Sequence, residues 1–160
     1  MGQPIERVRE LPPAGGSRAD VARFLAHALL SDAAHLQSVV ADVEASLHEN
    51  VSVWSPCVST GSRRELVAAL LDGDDAITDV GVSILGISTS DSTVSVEWRV
   101  EGRFRNAGFL NDSLLVEPSG ATVEATGVLV VVFEEERAIS IRCYYDTLGL
   151  LEQVIESSEP

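Results

Sequence analysis

The chain has 160 residues, of which 45% are hydrophobic and 22% charged, and its formal net charge at pH 7 is −14. This length and composition predict one domain with a hydrophobic core and exclude two full-sized domains. A strongly negative protein repels phosphate backbones, so nucleic-acid binding is not expected. The longest apolar run, 128–133, is far shorter than the about 20 residues that cross a bilayer, so no membrane partner is expected either.

The two ends of the chain differ in composition from its middle. Residues 1–16 are polar and rich in Pro and Gly, which predicts a disordered tail rather than a signal peptide. We expect one domain over 17–156 and a second short tail over 157–160. Cys57 and Cys143, without a secretory leader, favour free thiols in a reducing cytoplasm. All eleven basic residues are Arg, a bias associated with GC-rich bacterial genomes.

Three helices are predicted in the first half of the chain. Ser17 with Asp20 and Ser62 with Glu65 resemble capping boxes, and Asp32 can cap a helix between them. Each start is followed by apolar residues at helical spacing, namely Val21, Phe24, Leu25, Ala28 and Leu29, then Leu36, Val39, Val40, Val43 and Leu47, then Leu66, Val67, Leu70 and Leu71. The second helix is expected to end at His48, before a short strand over 51–54.

From residue 76 the hydrophobic period changes to two. Strands are predicted over 80–84, 94–104, 122–133 and 138–146, and the third is nearly all apolar in its middle, as is typical of a strand covered on both faces. Val82 and Ile84 are expected on an outer face. Helices followed by strands predict an α+β fold with a mostly antiparallel sheet. A curved sheet wrapped around helices leaves a pocket at its open end.

Several short segments occur in an order that resembles a known family. They are Trp54-Ser55-Pro56, the run TGSRREL at 60–66, EWRVEG at 97–102, EPSG at 117–120, and YYDTLGLLEQ at 144–153. The set resembles a SnoaL-like domain of the nuclear-transport-factor-2-like superfamily over residues 19–155. The resemblance implies one cone-shaped α+β domain, N-terminal helices on a curved sheet enclosing a pocket, and a homodimer. It also implies a cofactor-independent acid/base enzyme of bacterial polyketide-type metabolism, cyclising, isomerising or ring-opening an apolar small molecule.

Asp146 is the first candidate for catalysis. It stands where the last strand passes into a helix, and strand alternation places it on one face with Arg142 and Tyr144. A carboxylate inside an apolar cone is a candidate acid or base. The resemblance implies that Asp146 moves the proton during an intramolecular aldol closure. The alternative interpretation is that Asp146 caps the helix that follows it.

The strand over 94–105 offers a second candidate set. If its charged face looks inward, Arg99 and Glu101 form an ion pair that can hold a reacting oxygen, with Glu101 as a second acid. Arg-Val-Glu is similar to the Arg-x-Asp of limonene-epoxide-hydrolase-like enzymes, so epoxide hydrolysis or epoxide-opening cyclisation is an alternative function. Cys143 stands where those enzymes carry another acid, and Trp54-Ser55-Pro56 where they carry Tyr-x-Asn. The alternative interpretation is a solvated outer face of alternating charge.

Substrate-binding residues are predicted around the pocket. Trp54, Tyr144 and Trp98 can line an aromatic cavity, with Arg142 beside Asp146 and with His48 near the mouth; for each aromatic the alternative is core filling. The histidines show no metal-ligand spacing and no Gly-rich phosphate loop follows a strand, so neither a metal nor a cofactor is expected. A non-catalytic ligand-binding or assembly module is the competing hypothesis, favoured if Glu101 faces solvent and Asp146 is a helix cap.

Overall fold

The structure is a computed structural model that describes residues 16–72, 76–111 and 114–156. The predicted tails, 1–16 and 157–160, lie outside the described residues except for Gly16, so their disorder and the domain limits stay predictions. Within the described residues, no helix is both long enough and apolar enough to span a membrane.

Four helices are described: α1 (Arg18–Leu30), α2 (Ala33–Ser46), α3 (Arg63–Leu71) and α4 (Thr147–Glu156). The predicted caps of the first three are confirmed. The Asp20 N–H donates to Ser17 Oγ at 3.2 Å while Asp20 Oδ2 accepts from the Ser17 N–H at 3.0 Å, a reciprocal capping box. Asp32 accepts from the His35 N–H at 3.0 Å at the start of α2. Local side chains therefore set where these helices begin.

Six of the eight strands form one open sheet. They are β1 (Leu47–Trp54), β2 (Ser59–Thr60), β3 (Ile77–Ser90), β4 (Thr93–Phe104), β7 (Thr122–Glu134) and β8 (Arg137–Tyr145), in the order β2-β1-β8-β7-β4-β3. Among the described strands, only β1 and β8 pair in parallel. The remaining two strands, β5 (Gly108–Asn111) and β6 (Leu114–Val116), form a separate hairpin. The predicted α+β class and the mostly antiparallel sheet are confirmed.

The helices cover one face of the sheet, which we call the inner face. On β4 it carries Val94, Val96, Trp98 and Phe104, all buried, and the core joins them to apolar residues of α1, α2 and α3. The outer face carries the alternate residues, such as Glu97 on β4 and Arg142 on β8, and these are exposed. Alternation along the strands therefore separates an apolar side of the sheet from a charged side.

A second, smaller buried cluster lies where α4 covers the open end of the sheet. It consists of Phe104, Val123, Leu150 and Val154. Two partly buried side chains, Ala125 and Tyr145, contact both this cluster and the main core. The inner face is consequently filled by two packed regions that meet at these two residues.

Two predictions of position are wrong. α2 ends at Ser46, and its C-cap Leu47 has the extended backbone of a strand, so His48 is the second residue of β1 rather than the end of a helix. Val82 and Ile84 lie opposite Val100 and Trp98 in the antiparallel register, which places them on the inner face. The reason is that residues directly opposite each other in adjacent strands share a face of the sheet.

Gly127 allows the Trp98 ring to lie against β7. A Cβ at this position would come within 2.5 Å of Trp98 Cζ2 and closer still to the carbonyl oxygen of Tyr144. We expect Gly127→Ala to lower the free energy of unfolding by about 1–3 kcal/mol through overpacking, measured by urea denaturation. Gly86→Ala is the matched control, because its Cβ would meet nothing closer than Glu97 Oε2 at 3.9 Å. Equal stability of the two variants would contradict this account of the packing.

Candidate functional site

The Arg99–Glu101 ion pair forms, but on the outer face. Arg99 Nη2 lies 2.7 Å from Glu101 Oε1 and 2.7 Å from Glu124 Oε2. The hydrogen bond that Arg99 donates to Glu101 and the charge of Glu124 hold the pKa of the Arg99 guanidinium above its usual range. All three side chains are exposed. The expectation that this pair lines the pocket is wrong, because the helices cover the opposite face of β4, where Trp98 lies.

Trp54 and Tyr144 also lie on the outer face. They are 44% and 46% exposed, and their ring centroids are 5.4 Å apart. Arg142, which lies opposite Trp54 and two residues before Tyr144, is exposed as well. The expectation that these residues line an interior cavity is wrong for the same reason of alternation, since Val53, Ile141 and Cys143 occupy the inner positions. His48 is half-buried on β1, and its Nδ1 accepts from the Asn50 N–H at 3.1 Å.

Asp146 lies at the junction between β8 and α4. Its Oδ1 accepts from the Gly149 N–H at 2.9 Å, and its backbone oxygen accepts from the Leu150 N–H at 3.2 Å. The side chain therefore caps α4, as the alternative interpretation held. Its second oxygen, Oδ2, makes no hydrogen bond to any residue that the structure describes. One oxygen holds the helix and the other remains available.

An open groove of about 440 Å³ lies beside Asp146. The residues that line it are Glu124, Ala125, Thr126, Asp146, Gly149, Leu150 and Gln153. Ala125 and Leu150 give it apolar surface, whereas two carboxylates and an amide give it polar surface. Its two charged residues are both acidic, and the Glu124 carboxylate is engaged by Arg99 outside the groove. Asp146 is thus the groove carboxylate without a cationic partner among the described residues.

The groove exists because the first residues of β7 extend past the end of β8. The last register pair is Gly127 with Tyr145, so β7 residues 122–126 have no β8 partner. Gln153 of α4 takes the place of a strand there: its Oε1 accepts from the Glu124 N–H at 2.8 Å and its Nε2 donates to the Glu124 carbonyl at 2.8 Å. Sequence reasoning did not single out Gln153. Its spacing of seven from Asp146, two helical turns, was the available signal.

A neutral polar group lies on the inner face near the groove. Trp98 is 2% exposed, its Nε1 has no hydrogen-bond partner, and its ring meets that of Tyr145 edge-on with centroids 6.0 Å apart. The Tyr145 hydroxyl lies 3.1 Å from Cys57 Sγ. Burial raises the pKa of the Cys143 thiol to about 12, and burial raises the pKa of Tyr145 as well. These groups are therefore uncharged at neutral pH.

The described part of the chain holds no candidate metal site and few buried polar groups. No group of three His, Cys, Asp or Glu side chains there could hold a metal ion. Among the described residues, Ser46 is the only polar residue that is buried, and no charged side chain is. The other buried polar atoms without a partner in that part of the chain are the hydroxyls of Thr60 and Thr78, on the two edge strands.

The sequence matches no protein-family model and no curated protein. Solved structures do match. A candidate polyketide cyclase from Acidithiobacillus ferrooxidans is 14% identical over 89% of this chain and 97% of that chain, with a TM-score of 0.69. A candidate SnoaL-like polyketide cyclase from Jannaschia sp. CCS1 is 16% identical over 75% and 79%, with a TM-score of 0.63.

A third match is an LEH-like epoxide hydrolase from M. tuberculosis, 13% identical over 88% of this chain and 90% of that chain, with a TM-score of 0.61. The chain therefore has the fold of SnoaL-like proteins in the nuclear-transport-factor-2-like superfamily, as the sequence resemblance predicted. Several proteins with this fold are described as enzymes. Identities of 13–16% show that the fold is shared and do not show that the reaction is shared.

The contribution of the Gln153 amide, which takes the place of a neighbouring strand, can be measured by substitution. We expect Gln153→Ala to lower the free energy of unfolding by about 1–3 kcal/mol, because two hydrogen bonds to Glu124 are lost. The Glu124 amide should also exchange its hydrogen faster, as followed by NMR. Glu152→Ala, at the exposed neighbouring position of α4, is the control. Unchanged exchange at Glu124 in Gln153→Ala would show that α4 is held by other contacts.

Proposed function

We propose that this protein is a cofactor-independent enzyme that transfers a proton within a neutral, largely apolar small molecule, with Asp146 as the proton carrier. The observation that carries the proposal is the position of Asp146 on the wall of the groove, with Oδ1 holding α4 and Oδ2 free of hydrogen bonds to the described residues. The cap orients the carboxylate, so the reactive oxygen is preorganised without being buried.

The reaction class follows from a carboxylate that works without a metal or cofactor. Asp146 removes a proton from a carbon next to a carbonyl group, and an enolate forms. In a cyclisation that carbon forms a bond to a second carbonyl carbon of the same molecule, and Asp146 returns the proton to the new alkoxide. In an isomerisation the proton returns to a different carbon. Both outcomes conserve atoms and electrons, and both fit a SnoaL-like cyclase or isomerase of bacterial polyketide-type metabolism.

Epoxide opening has less support. That alternative rested on Arg99 and Glu101 acting inside the cone, and both side chains lie on the outer face with Glu124. The groove lining offers Asp146 and Glu124 instead, and Glu124 shares Arg99 with Glu101. We therefore assign no catalytic role to Arg99 or Glu101. Their ion pair links β4 to Glu124 of β7 on the outer face of the sheet, beside the groove.

A non-catalytic ligand-binding module is the second candidate function. It is favoured by two observations: Glu101 faces solvent, and Asp146 caps α4. In that case the groove and the inner face hold an apolar molecule or a partner segment, and the carboxylate serves only the helix. The two functions make opposite predictions for a substitution that keeps the cap and removes the titratable group.

Asp146→Asn makes that distinction. A suitable probe of a carboxylate base is 5-nitrobenzisoxazole, a neutral aromatic compound that loses its carbon-bound proton to a base as its N–O bond breaks to give a coloured phenolate. If Asp146 is the base, Asp146→Asn lowers the protein-catalysed rate by about 10²–10⁴-fold. Its melting temperature stays close to that of the wild type, because Asn caps nearly as well as Asp.

Asp146→Ala is the matched variant for the structural role. Loss of the cap costs about 1 kcal/mol and should lower the melting temperature. A wild-type rate no higher than that of acetate buffer at the same pH, or full activity in Asp146→Asn, would refute proton transfer by Asp146. Either result would leave ligand binding as the better account.

We also propose that the functional unit is a homodimer formed through the outer face. The apolar outer patch consists of Trp54, Tyr144, Val128, Val130 and Val132, on β1, β8 and β7. Its two aromatic residues are exposed and its three valines are only partly buried. The middle of β7 has the apolar sequence that is typical of a strand covered on both faces. Within one chain its outer side is incompletely covered, and apolar surface left exposed in this way favours association with a partner.

Charges beside the outer patch suit a second copy. Arg142 on β8 lies within the patch, opposite both Trp54 and Val130, and Glu97 on β4 lies at the edge of the patch, opposite Val128. A two-fold axis places Arg142 of one copy against Glu97 of the other, which makes the face self-complementary.

The thiols of Cys57 and Cys143 are not joined in a disulfide, which supports the proposed cytoplasmic setting.

Tyr144→Glu tests the dimer. A carboxylate in the middle of the outer patch would be buried without a partner in the dimer, so the variant should be monomeric while the wild type is dimeric. Light scattering at micromolar concentration gives both masses. Leu148→Glu is the control, since Leu148 is 62% exposed but lies on α4, away from the patch. A monomeric wild type would refute the proposal.

A further inference from the structure

The Asp146 carboxylate lies against the Cα of Gly149, where a side chain would begin. A Cβ built on Gly149 would lie 2.7 Å from Asp146 Oδ2 and 3.2 Å from Asp146 Cγ. Non-bonded atoms do not pack that closely, so the carboxylate occupies space that any other residue type at 149 would need. Both residues line the groove. The missing side chain therefore leaves room at the groove wall for the carboxylate oxygen that has no hydrogen bond to the described residues.

Capping alone does not require a glycine at this position. The other three described helices also begin with a side chain that accepts from the N–H three residues further on, and that third residue is Asp20, His35 or Glu65. Asp32 is the closest comparison, because it is also an aspartate, and its Oδ1 accepts from the His35 N–H at 3.0 Å. An aspartate cap therefore forms on a residue that has a Cβ.

The backbone of Gly149 does not require glycine either. The residue belongs to the first turn of α4, and among the described glycines only Gly120 has a positive φ. Glycine is an unfavourable residue in a helix, because it loses more backbone freedom than alanine does when the helix forms. Neither the cap nor the backbone conformation explains Gly149, whereas the position of the Asp146 carboxylate does.

We propose that Gly149 is the positioning residue of the groove carboxylate: the absence of its side chain lets Asp146 cap α4 through Oδ1 while Oδ2 stays at the groove wall. This inference rests on the proposed function in treating Asp146 as the proton carrier, but the placement of Oδ2 is testable without it. With a Cβ at residue 149, the carboxylate keeps its cap only by turning Oδ2 away from its place. An alanine there gives a more stable helix and a misplaced carboxylate.

Gly149→Ala tests this role in the 5-nitrobenzisoxazole assay. We expect kcat to fall by about 10–10²-fold, since displacing a catalytic group by roughly 1 Å has an effect of that order, while KM stays close to that of the wild type. The melting temperature should equal that of the wild type or exceed it, because alanine favours a helix more than glycine does. Leu148→Ala is the control: it puts an alanine at the neighbouring position, which is 62% exposed, and should leave kcat unchanged.

A crystal structure of Gly149→Ala gives a readout that does not depend on activity. The Asp146 carboxylate should still accept from the N–H of residue 149, as Asp32 does from His35, with Oδ2 turned away from its wild-type position. A carboxylate that stays in place while α4 shifts would overturn the proposal. This readout also decides the matter if Asp146→Asn is fully active, so failure of proton transfer by Asp146 is distinguishable from failure of the positioning role.

Three results of the kinetic test would also overturn the positioning role. A lower melting temperature together with a lower rate would mean that the glycine serves only the cap. A raised KM with an unchanged kcat would mean that the added Cβ only narrows the groove. Wild-type activity in Gly149→Ala, when Asp146→Asn is inactive, would leave Asp146 as the proton carrier and refute the role of Gly149.

Discussion

The unequal length of β7 and β8 is the constraint on which the candidate site depends. β7 begins at Thr122, but its pairing with β8 begins only at Gly127. Backbone N–H and C=O groups at the uncovered edge need partners, and the Gln153 amide supplies both for Glu124. This fixes α4 against the edge of the sheet rather than over its centre. The space between the helix start and the strand edge is the groove.

The same junction explains why a carboxylate can work there. Within the described residues the core holds no charged group, since burying one without a partner costs several kcal/mol. Asp146 avoids that cost because the chain leaves the sheet at this residue, which keeps the side chain exposed while it lines the groove. The helix N-terminus that it caps adds favourable interaction with negative charge. The groove carboxylate Asp146 therefore lies at the edge of the sheet, not inside the cone.

Local signals in the sequence were sufficient for much of the fold. The helix starts depend on side chains three residues apart, as in Ser17 with Asp20, and strand alternation depends on immediate neighbours. Local signals could not tell which face of each strand packs against the helices. β4 carries large residues on both faces, and whether Trp98 or Arg99 lies inward depends on where the helices pack. Trp54 and Tyr144 were misplaced for a related reason, because amphipathic aromatics suit a core and an exposed face equally.

The groove was less predictable still, because it depends on where two strands stop pairing, which is a long-range property of the register. Once the register is known, sequence spacing becomes informative: Asp146, Gly149 and Gln153 recur at three and seven residues and so share a helix face. That face brings the Asp146 carboxylate to one side of the groove, while Ala125 and Thr126 of β7 line the other. On the proposal that Asp146 is the proton carrier, a compound held in the groove has its acidic carbon beside a carboxylate that the Gly149 N–H already orients, which removes part of the entropic cost of reaching the transition state.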